Sequence, residues 1–464
     1  MGGLDQDSSN VNPLALLFLL GAGLVMLKGR RQAAVNAILA MAAFLPLGQQ
    51  IVVLGLHFTF FRILILVGVV RILINGETRG VSFNRSDKLV LAWALVGFVC
   101  GVLRKPEAWA GADCLGALYN GLGTYFLFRF LIRSPEEAMA QLRFLAFAVL
   151  VIGLAMAVEL IKHQNPFYVL GGVPQFEEVR DGRFRCQGPF RHPILAGTFP
   201  ATLFPLLVGL WFESVRKKWI AVLGVIGAAF ATVAAASSGA VLTFLSAIIG
   251  LGLWKMRFRM HIIRRGIVVV ILGFAMVMQA PVWFIIAKVS NLAGGTGWHR
   301  SWLIDQAVKH FNEWWLIGSS YTAHWAPSGE VLAVDPNNMD ITNQYIAQGL
   351  RGGVLGLGLF IAFLVLCFKI IGRFVRTGEG TLPYRKLAWA LGVGLAAHCT
   401  AFVSISYFDQ SIVFLFWLWA VIVSIPMWAA QQPDKYVAPA KAANVDVIPV
   451  EAISEGDCLV RRRC

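Results

Sequence analysis

Long apolar segments fill most of the chain and are separated by short polar stretches. Read with a window of about 19 residues, the pattern predicts about thirteen helices that could cross a bilayer. Their approximate limits are 13–28, 32–48, 54–74, 88–103, 112–132, 143–162, 193–212, 219–236, 240–255, 267–287, 353–373, 386–405 and 410–430. Since a backbone in lipid must satisfy its hydrogen bonds within its own helix, we expect an all-α integral membrane protein with about 12–13 transmembrane helices.

Two longer polar stretches, residues 163–193 and 288–352, interrupt this pattern. Both combine Gly and Pro with Arg, His and Asp, and the second also contains a segment with the spacing of a short amphipathic helix. Irregular segments of this length must lie outside the lipid. We therefore expect residues 1–430 to form one polytopic membrane domain with two external loops, the larger containing short helices. Residues 431–464 are expected to form a disordered cytoplasmic tail.

Composition and charge support this class. The chain is 58% hydrophobic and 14% charged, which is far from the average of a soluble domain. Its net charge is +15, but the basic residues form short clusters between apolar segments, which indicates topology and no nucleic-acid partner. By the positive-inside rule, these clusters are cytoplasmic. The expected arrangement is a multi-pass protein in the lipid bilayer, with an external N-terminus, external polar loops and a cytoplasmic C-terminus.

The predicted external loops contain arginines that the positive-inside rule does not explain: Arg183, Arg185, Arg191 and Arg300. A guanidinium group is planar, keeps its charge and matches the oxygens of a phosphate. A diphosphate held at the membrane surface, as in a polyprenyl-diphosphate-linked glycan, is the ligand that these residues favour. The alternative is that they form ion pairs with the acidic residues of the first loop, which are Glu177, Glu178 and Asp181.

Four segments resemble, in order and spacing, the O-antigen ligase and polymerase (Wzy/WaaL-like) family. They are Arg185–Ala196, Ser237–Gly239, Gly297–Ser319 and Thr342–Gly356. The resemblance implies a GT-C-like glycosyltransferase in the bacterial inner membrane. Such an enzyme moves a glycan from a polyprenyl-diphosphate donor to the hydroxyl of a glycan or lipid-linked acceptor on the external face. It implies no cofactor and no metal.

The resemblance also implies roles for individual residues. Arg185 and Arg300 would hold the diphosphate, with Arg183 and Arg191 beside them. Asn343 and Tyr345 of the last segment, with Trp315, are expected to position the substrate. For Trp315 the alternative is a place in an aromatic belt at the membrane interface.

The attacking hydroxyl needs a base, and here the sequence departs from the family. Ligases of the family usually have a His before the Asn of the last motif, where this chain has Thr342. Either Asp340 or His324 could take the role, Asp340 if partial burial raises its pKa. Asp340 could equally be a helix N-cap, and His324 could be packed among aromatic rings. The departure favours a polymerase of exopolysaccharide or O-antigen over a ligase.

Two other classes remain as alternatives. A lipid-linked glycan flippase or other secondary transporter would also be polytopic, but such proteins tend to place ionisable residues at mid-bilayer between two related halves. This chain shows no internal repeat, and its polar residues are concentrated in the predicted external loops. The third class is a non-catalytic protein of envelope assembly, in which the arginines would have no ligand.

Overall fold

The computed structural model describes residues 11–53, 56–104, 108–180, 182–213, 217–292, 297–326, 338–377 and 382–431. The tail predicted for 431–464 lies, from residue 432 onward, outside this part of the chain. The described residues form sixteen α-helices and two antiparallel hairpins of two strands each. The hairpins are β1 (Gln50–Val53) with β2 (Leu56–Thr59), and β3 (Glu178–Arg180) with β4 (Arg183–Arg185).

The helices follow most of the predicted apolar segments, but the helix predicted at 267–287 is wrong at its end, because the helix stops at Val277 and a new one begins at Ile285. The first ten are α1 (Pro13–Lys28), α2 (Arg31–Phe44), α3 (Phe60–Asn75), α4 (Arg85–Arg104), α5 (Ala108–Leu131), α6 (Pro135–Lys162), α7 (Pro193–Leu210), α8 (Lys218–Ala234), α9 (Ser238–Gly252) and α10 (Met260–Val277). Three shorter helices, α11 (Ile285–Leu292), α12 (Gly297–Lys309) and α13 (Phe311–Trp314), lie within or beside the second polar stretch. The last three are α14 (Gln344–Thr377), α15 (Leu382–Ala401) and α16 (Gln410–Gln431).

Six helical stretches of the described chain are long and apolar enough to cross a membrane. They are Arg85–Arg104, Pro135–Lys162, Pro193–Leu210, Ser238–Val277, Gln344–Thr377 and Gln410–Ala430. Two shorter helices, α1 and α8, are also apolar. In α10 no side chain is buried, although most of its residues are aliphatic, which suits a helix surrounded by lipid. The chain therefore has the all-helical architecture expected of a multi-pass membrane protein.

The predicted helix at 54–74 is wrong at its start. β1 and β2 pair as an antiparallel hairpin, and the helix begins only at Phe60. Thr59 ends the extended segment because its hydroxyl oxygen accepts the N–H of Arg62 at 3.3 Å and so caps α3. Apolar content alone did not separate a short hairpin of β-branched and aromatic residues from the first turns of a helix.

Helix α7 lies at the centre of the bundle and packs against α8, α9 and α15. Small residues allow this close packing. A Cβ on Gly197 would stand 2.7 Å from Cβ of Ala240 and 2.9 Å from Cβ of Ala235, so only glycine fits there. Nearly all residues of α7 are buried, and its N-terminal end is therefore held in a fixed position.

Contacts among the basic loops define one end of the bundle. Arg31 lies 3.6 Å from Glu137, and Tyr384 donates to Glu136 at 2.8 Å. Arg133 donates to the carbonyl of Glu77, and Arg143 pairs with Glu213. These residues come from clusters that the positive-inside rule assigned to a single side. Helix α6 begins at this end and leads to the other end, where the first polar stretch follows it.

Candidate functional site

The β3–β4 hairpin brings Arg185 to the turn between α8 and α9. Glu178 lies opposite Arg185 in the hairpin register. The backbone N–H of Cys186, directly after β4, donates to the carbonyl of Ala234 at 3.1 Å. Since Ala234 is the last residue of α8, Arg185 lies beside the α8–α9 turn.

Arg185 is 4% exposed and already has an acidic partner. Its Nη1 donates to Oε1 of Glu178 at 2.6 Å, while its buried Nε has no hydrogen-bond partner among the described residues. The ion-pair alternative therefore holds for Glu178. It does not hold for Glu177, whose carboxylate lies 3.3 Å from Nδ1 of His163, and Asp181 is outside the described residues. A buried donor without a partner costs about 1–3 kcal/mol, which an anion at Nε would relieve.

Arg300 reaches the same turn from α12. It is 7% exposed, and its Nη2 lies 3.3 Å from the point where a Cβ on Gly239 would stand. The hydroxyl of Ser404 lies 2.7 Å from that point, so any side chain at 239 would displace one of the two groups. Burial lowers the pKa of Arg300, and the nearby charge of Arg180 lowers it further. The guanidinium nevertheless keeps its charge at neutral pH.

A third basic group of this region is His192, the N-cap of α7. Its Nδ1 accepts the backbone N–H of Ile194 at 3.1 Å. That bond places the proton of a neutral ring on Nε2, which lies 4.0 Å from Oε2 of Glu178. Burial lowers the pKa of His192, Glu178 raises it, and Arg185 lowers it. His192 is therefore a neutral N–H donor at pH 7, and His-Pro before an apolar segment is the capping signal that could have revealed it.

Arg180, Arg185, His192 and Arg300 form what we call the arginine cluster. Arg180 influences the pKa of both His192 and Arg300, and so it connects the first polar stretch with the second. The first turn of α9 adds the partial positive charge of a helix N-terminus. The cluster therefore concentrates positive potential at the α8–α9 turn, and such a potential attracts anions.

Asp340 approaches this cluster but does not have the burial expected for it. Its charge raises the pKa of His192, yet its own side chain is exposed. The N-cap alternative does not hold either, because Asn343 caps α14: its Oδ1 accepts the backbone N–H groups of Tyr345 at 3.0 Å and Ile346 at 3.2 Å. Asp340 is thus an accessible carboxylate near the basic groups.

The remaining predicted arginines, Arg183 and Arg191, are both exposed. Arg183 is exposed on the hairpin. Arg191 is 51% exposed and lies 3.5 Å from Oδ2 of Asp409. Burial raises the pKa of Asp409, and the charge of Arg191 opposes that shift. These two arginines of the first polar stretch therefore lie in more solvated positions than Arg185 and Arg300.

The polar groups of two predicted positioning residues are occupied by the protein itself. Besides capping α14, Asn343 donates to the carbonyl of Val403 at 3.4 Å, and the hydroxyl of Tyr345 donates to the carbonyl of Cys399 at 3.1 Å. Trp315 is 49% exposed, as both a sugar platform and an aromatic belt require. Asn343 and Tyr345 thus hold the start of α14 in place, and their predicted role toward the substrate stays a prediction.

His324 belongs to a different cluster from the arginines. Its Nε2 lies 2.9 Å from Oε2 of Glu313, and Nδ1 of His310 lies 2.7 Å from Oε1 of the same carboxylate. Burial raises the pKa of Glu313, but hydrogen bonds from His310, Trp325 and His324 outweigh it and lower the pKa below its usual value. Within the described residues, this is the group of side chains whose spacing could hold a metal ion.

No protein-family model matches the chain, and no curated protein matches it either.

Proposed function

We propose that this protein is a GT-C-like glycosyltransferase of the bacterial inner membrane that transfers a glycan from a polyprenyl-diphosphate donor to a hydroxyl acceptor on the external face. The observation that carries this proposal is the burial of Arg185 and Arg300, from distant parts of the sequence, beside one helix turn. Two buried guanidinium groups beside one turn concentrate positive charge there, and the buried Nε of Arg185 has no acceptor among the described residues. A diphosphate carries negative charge and enough acceptor oxygens to bind both guanidinium groups.

The reaction moves one sugar–oxygen bond. The acceptor hydroxyl attacks the anomeric carbon and forms a new glycosidic bond, while the bond between that carbon and the diphosphate oxygen breaks. Negative charge grows on the leaving diphosphate, and fixed cations placed there lower the barrier. In this scheme Arg185 and Arg300 take that role, and His192 adds a neutral N–H donor.

The proton of the acceptor hydroxyl goes to a carboxylate. We assign it to Asp340, which is exposed to an incoming acceptor and close enough to influence His192. A positioned base typically contributes about 10²–10⁴-fold in rate. Because Thr342 stands where ligases of the resembling family have His, a polymerase of exopolysaccharide or O-antigen fits the sequence better than a ligase.

The test uses the purified full-length chain in lipid nanodiscs, with a polyprenyl-diphosphate glycan donor and a glycan acceptor. Arg185→Ala and Arg300→Ala are each expected to lower turnover by about 10²–10³-fold, the cost of removing one group that stabilises developing charge. Arg→Lys at either position should lose less, because it keeps the charge and gives up the planar fork. Release of polyprenyl diphosphate and elongation of the glycan are the two measurements.

A matched control is Arg376→Ala, since Arg376 is an exposed arginine near the end of α14, far along the helix from the cluster, and its Nε donates to the carbonyl of Gly372 at 3.0 Å. It should retain full turnover. Wild-type turnover in both Arg185→Ala and Arg300→Ala would refute the diphosphate role. Movement of the donor across the membrane with its sugar–phosphate bond intact would favour the transporter class.

A further inference from the structure

The side chains of His310, Glu313 and His324 converge at the surface of a small core formed by the second polar stretch. His310 precedes α13, Glu313 lies three residues later on it, and His324 lies in the 3-10 turn Ala323–Trp325. Their ligand atoms all lie within 4.8 Å of one another. Two imidazoles and one carboxylate are a ligand set that Zn²⁺ accepts, with a fourth position left for water.

Ring stacking fixes the direction in which both imidazoles point. The ring of His310 stacks on Trp325 at 5.6 Å between centroids and 18° between planes, and His324 stacks on Tyr321 at 5.2 Å and 14°. Trp325 is fully buried, so it is a rigid support. Ligands whose orientation is set by packing lose little entropy when an ion binds.

The carboxylate is oriented as well. Nε1 of Trp325 lies 3.4 Å from Oε2 of Glu313, in the position of an outer-shell donor to a metal-bound carboxylate. Such outer-shell contacts typically hold a ligand in its binding orientation. The three side chains remain between 28% and 35% exposed, so an ion can reach them from solvent.

The distances require a small adjustment. In a tetrahedral site with metal–ligand bonds of about 2.0–2.2 Å, ligand atoms stand about 3.3–3.5 Å apart. The two His–Glu contacts of 2.7 and 2.9 Å are slightly shorter than this, and the longest separation allowed by the cluster, 4.8 Å, is longer. Rotation of the partly exposed Glu313 side chain can lengthen the two His–Glu contacts, and a small movement of one imidazole ring can set the distance between the two histidine nitrogens.

We propose that His310, Glu313 and His324 form a binding site for a divalent transition-metal ion, with Zn²⁺ as the ion that suits the ligand set. Bound there, the ion ties α13 to the 3-10 turn at residues 323–325 and fixes the loop between them. The site does not depend on the proposed glycosyltransferase activity. It does exclude His324 as the base, because Nε2 cannot bind a cation and accept a proton at the same time.

The test is zinc titration of the full-length chain, purified with a tag that contains no histidine, treated with chelator and reconstituted in nanodiscs. Competition with a chromophoric chelator measures the affinity and the number of ions bound. We expect one Zn²⁺ per chain. His310→Ala, His324→Ala and Glu313→Gln should each weaken binding by at least about tenfold, since even outer-shell changes at zinc sites cost about 10–100-fold.

Two further variants separate a metal site from a simple hydrogen-bonded triad. His324→Cys keeps a zinc ligand and should retain binding that His324→Ala loses. His163→Asn is the matched control, because His163 is also exposed and also contacts a glutamate, Glu177, at 3.3 Å; it should bind like the natural chain. Zinc should also raise the melting temperature of the natural chain and of these two variants, which checks that each is folded.

Absence of saturable zinc binding by the natural chain would overturn the proposal. So would equal affinity in the natural chain and in all three ligand variants, because the ion would then sit elsewhere.

Discussion

At the scale of single residues, Arg185 of the arginine cluster has an internal partner, Glu178, that would compete with the proposed diphosphate. Nη1 of Arg185 donates to Glu178, whose side chain is 40% exposed. Nε of Arg185 has no hydrogen-bond partner among the described residues. The pair joins a buried guanidinium to a partly exposed carboxylate, so only one of the two charges is fully desolvated. Under the proposed function, a diphosphate would compete with Glu178 for Arg185, and the carboxylate would occupy the guanidinium when donor is absent.

This view predicts the effect of Glu178→Gln. If Glu178 competes with the donor, removal of its charge should tighten donor binding by about two- to fivefold, which is equivalent to about 0.4–1 kcal/mol. The measurement is the KM for donor in the nanodisc assay. Glu177→Gln is the control, since Glu177 contacts His163 and not Arg185. A weaker affinity in Glu178→Gln would instead show that the pair serves to position Arg185.

Residue chemistry was only partly predictable from the sequence. Arg185 and Arg300 could be singled out because arginine on the external side needs a reason, but their placement beside the α8–α9 turn depends on packing between distant parts of the chain. Asp340 was expected to be half-buried and is exposed. Asn343 reads as a substrate residue in a motif, yet its amide caps α14. His310 and His324 both contact the carboxylate of Glu313 because of the loop geometry. The spacing of these residues in the sequence does not match a known metal-binding motif.

At the scale of elements, the break in α14 determines how the second polar stretch meets the bundle. Gly353 has φ of 64°, and the N–H of Val354 donates to the carbonyl of Trp315 at 2.8 Å. The N–H of Ser319 donates in turn to the carbonyl of Leu350 at 3.0 Å. Gly352 and Gly353 thus interrupt α14 at the point where the turn after α13 forms backbone hydrogen bonds with it. The sequence pattern predicts a helix that begins at 353 and short helices in the polar stretch before it, but not the continuous element from Gln344 to Thr377.

We expect Gly353→Ala to destabilise this junction. A Cβ there would stand 2.2 Å from the carbonyl oxygen of Leu316, and a left-handed backbone costs a non-glycine residue about 1–3 kcal/mol. The melting temperature in detergent should fall by several degrees, and zinc binding should weaken if the turn after α13 shifts. Gly358→Ala, on the same helix with no atom within 4 Å of the added Cβ, should be neutral or slightly stabilising. Equal melting temperatures for the two variants would contradict the role of the break.

At the scale of the whole molecule, the two ends of the bundle differ in chemistry. One end gathers basic loops that contact one another through Arg31, Arg133 and Arg143. The other gathers both polar stretches, where Gln344 donates its N–H to the carbonyl of Phe402 at 2.8 Å and Asp409 pairs with Arg191. Hydropathy and the positive-inside rule could predict this division because they act along the chain. Hydropathy does not define the number of spans in the same way, because α3 has 16 residues and α15 begins with Tyr-Arg-Lys after its first two residues.

The division predicts which positions can be labelled from outside. Val179 in β3 and Val308 in α12 are 57% and 53% exposed and belong to the first and second polar stretches. Each is replaced by cysteine in a separate variant. A membrane-impermeant maleimide should label both in intact spheroplasts. Lys217, with a side chain that is 46% exposed, and Leu382, which is 49% exposed, belong to the basic end. Lys217→Cys and Leu382→Cys should be labelled only after permeabilisation. The unmodified chain gives the background of its natural cysteines.

The pattern of labelling discriminates between two kinds of error. If 179 and 308 react from different sides, Arg185 and Arg300 cannot share a ligand, and the diphosphate site is refuted. If both react only after permeabilisation while 217 and 382 react from outside, the shared site survives but faces the cytoplasm. The donor would then have to be used before it crosses the membrane, because a diphosphate head group does not pass through lipid unaided. An external glycosyltransferase would be excluded, whereas one that elongates the glycan on the cytoplasmic face would still fit the geometry.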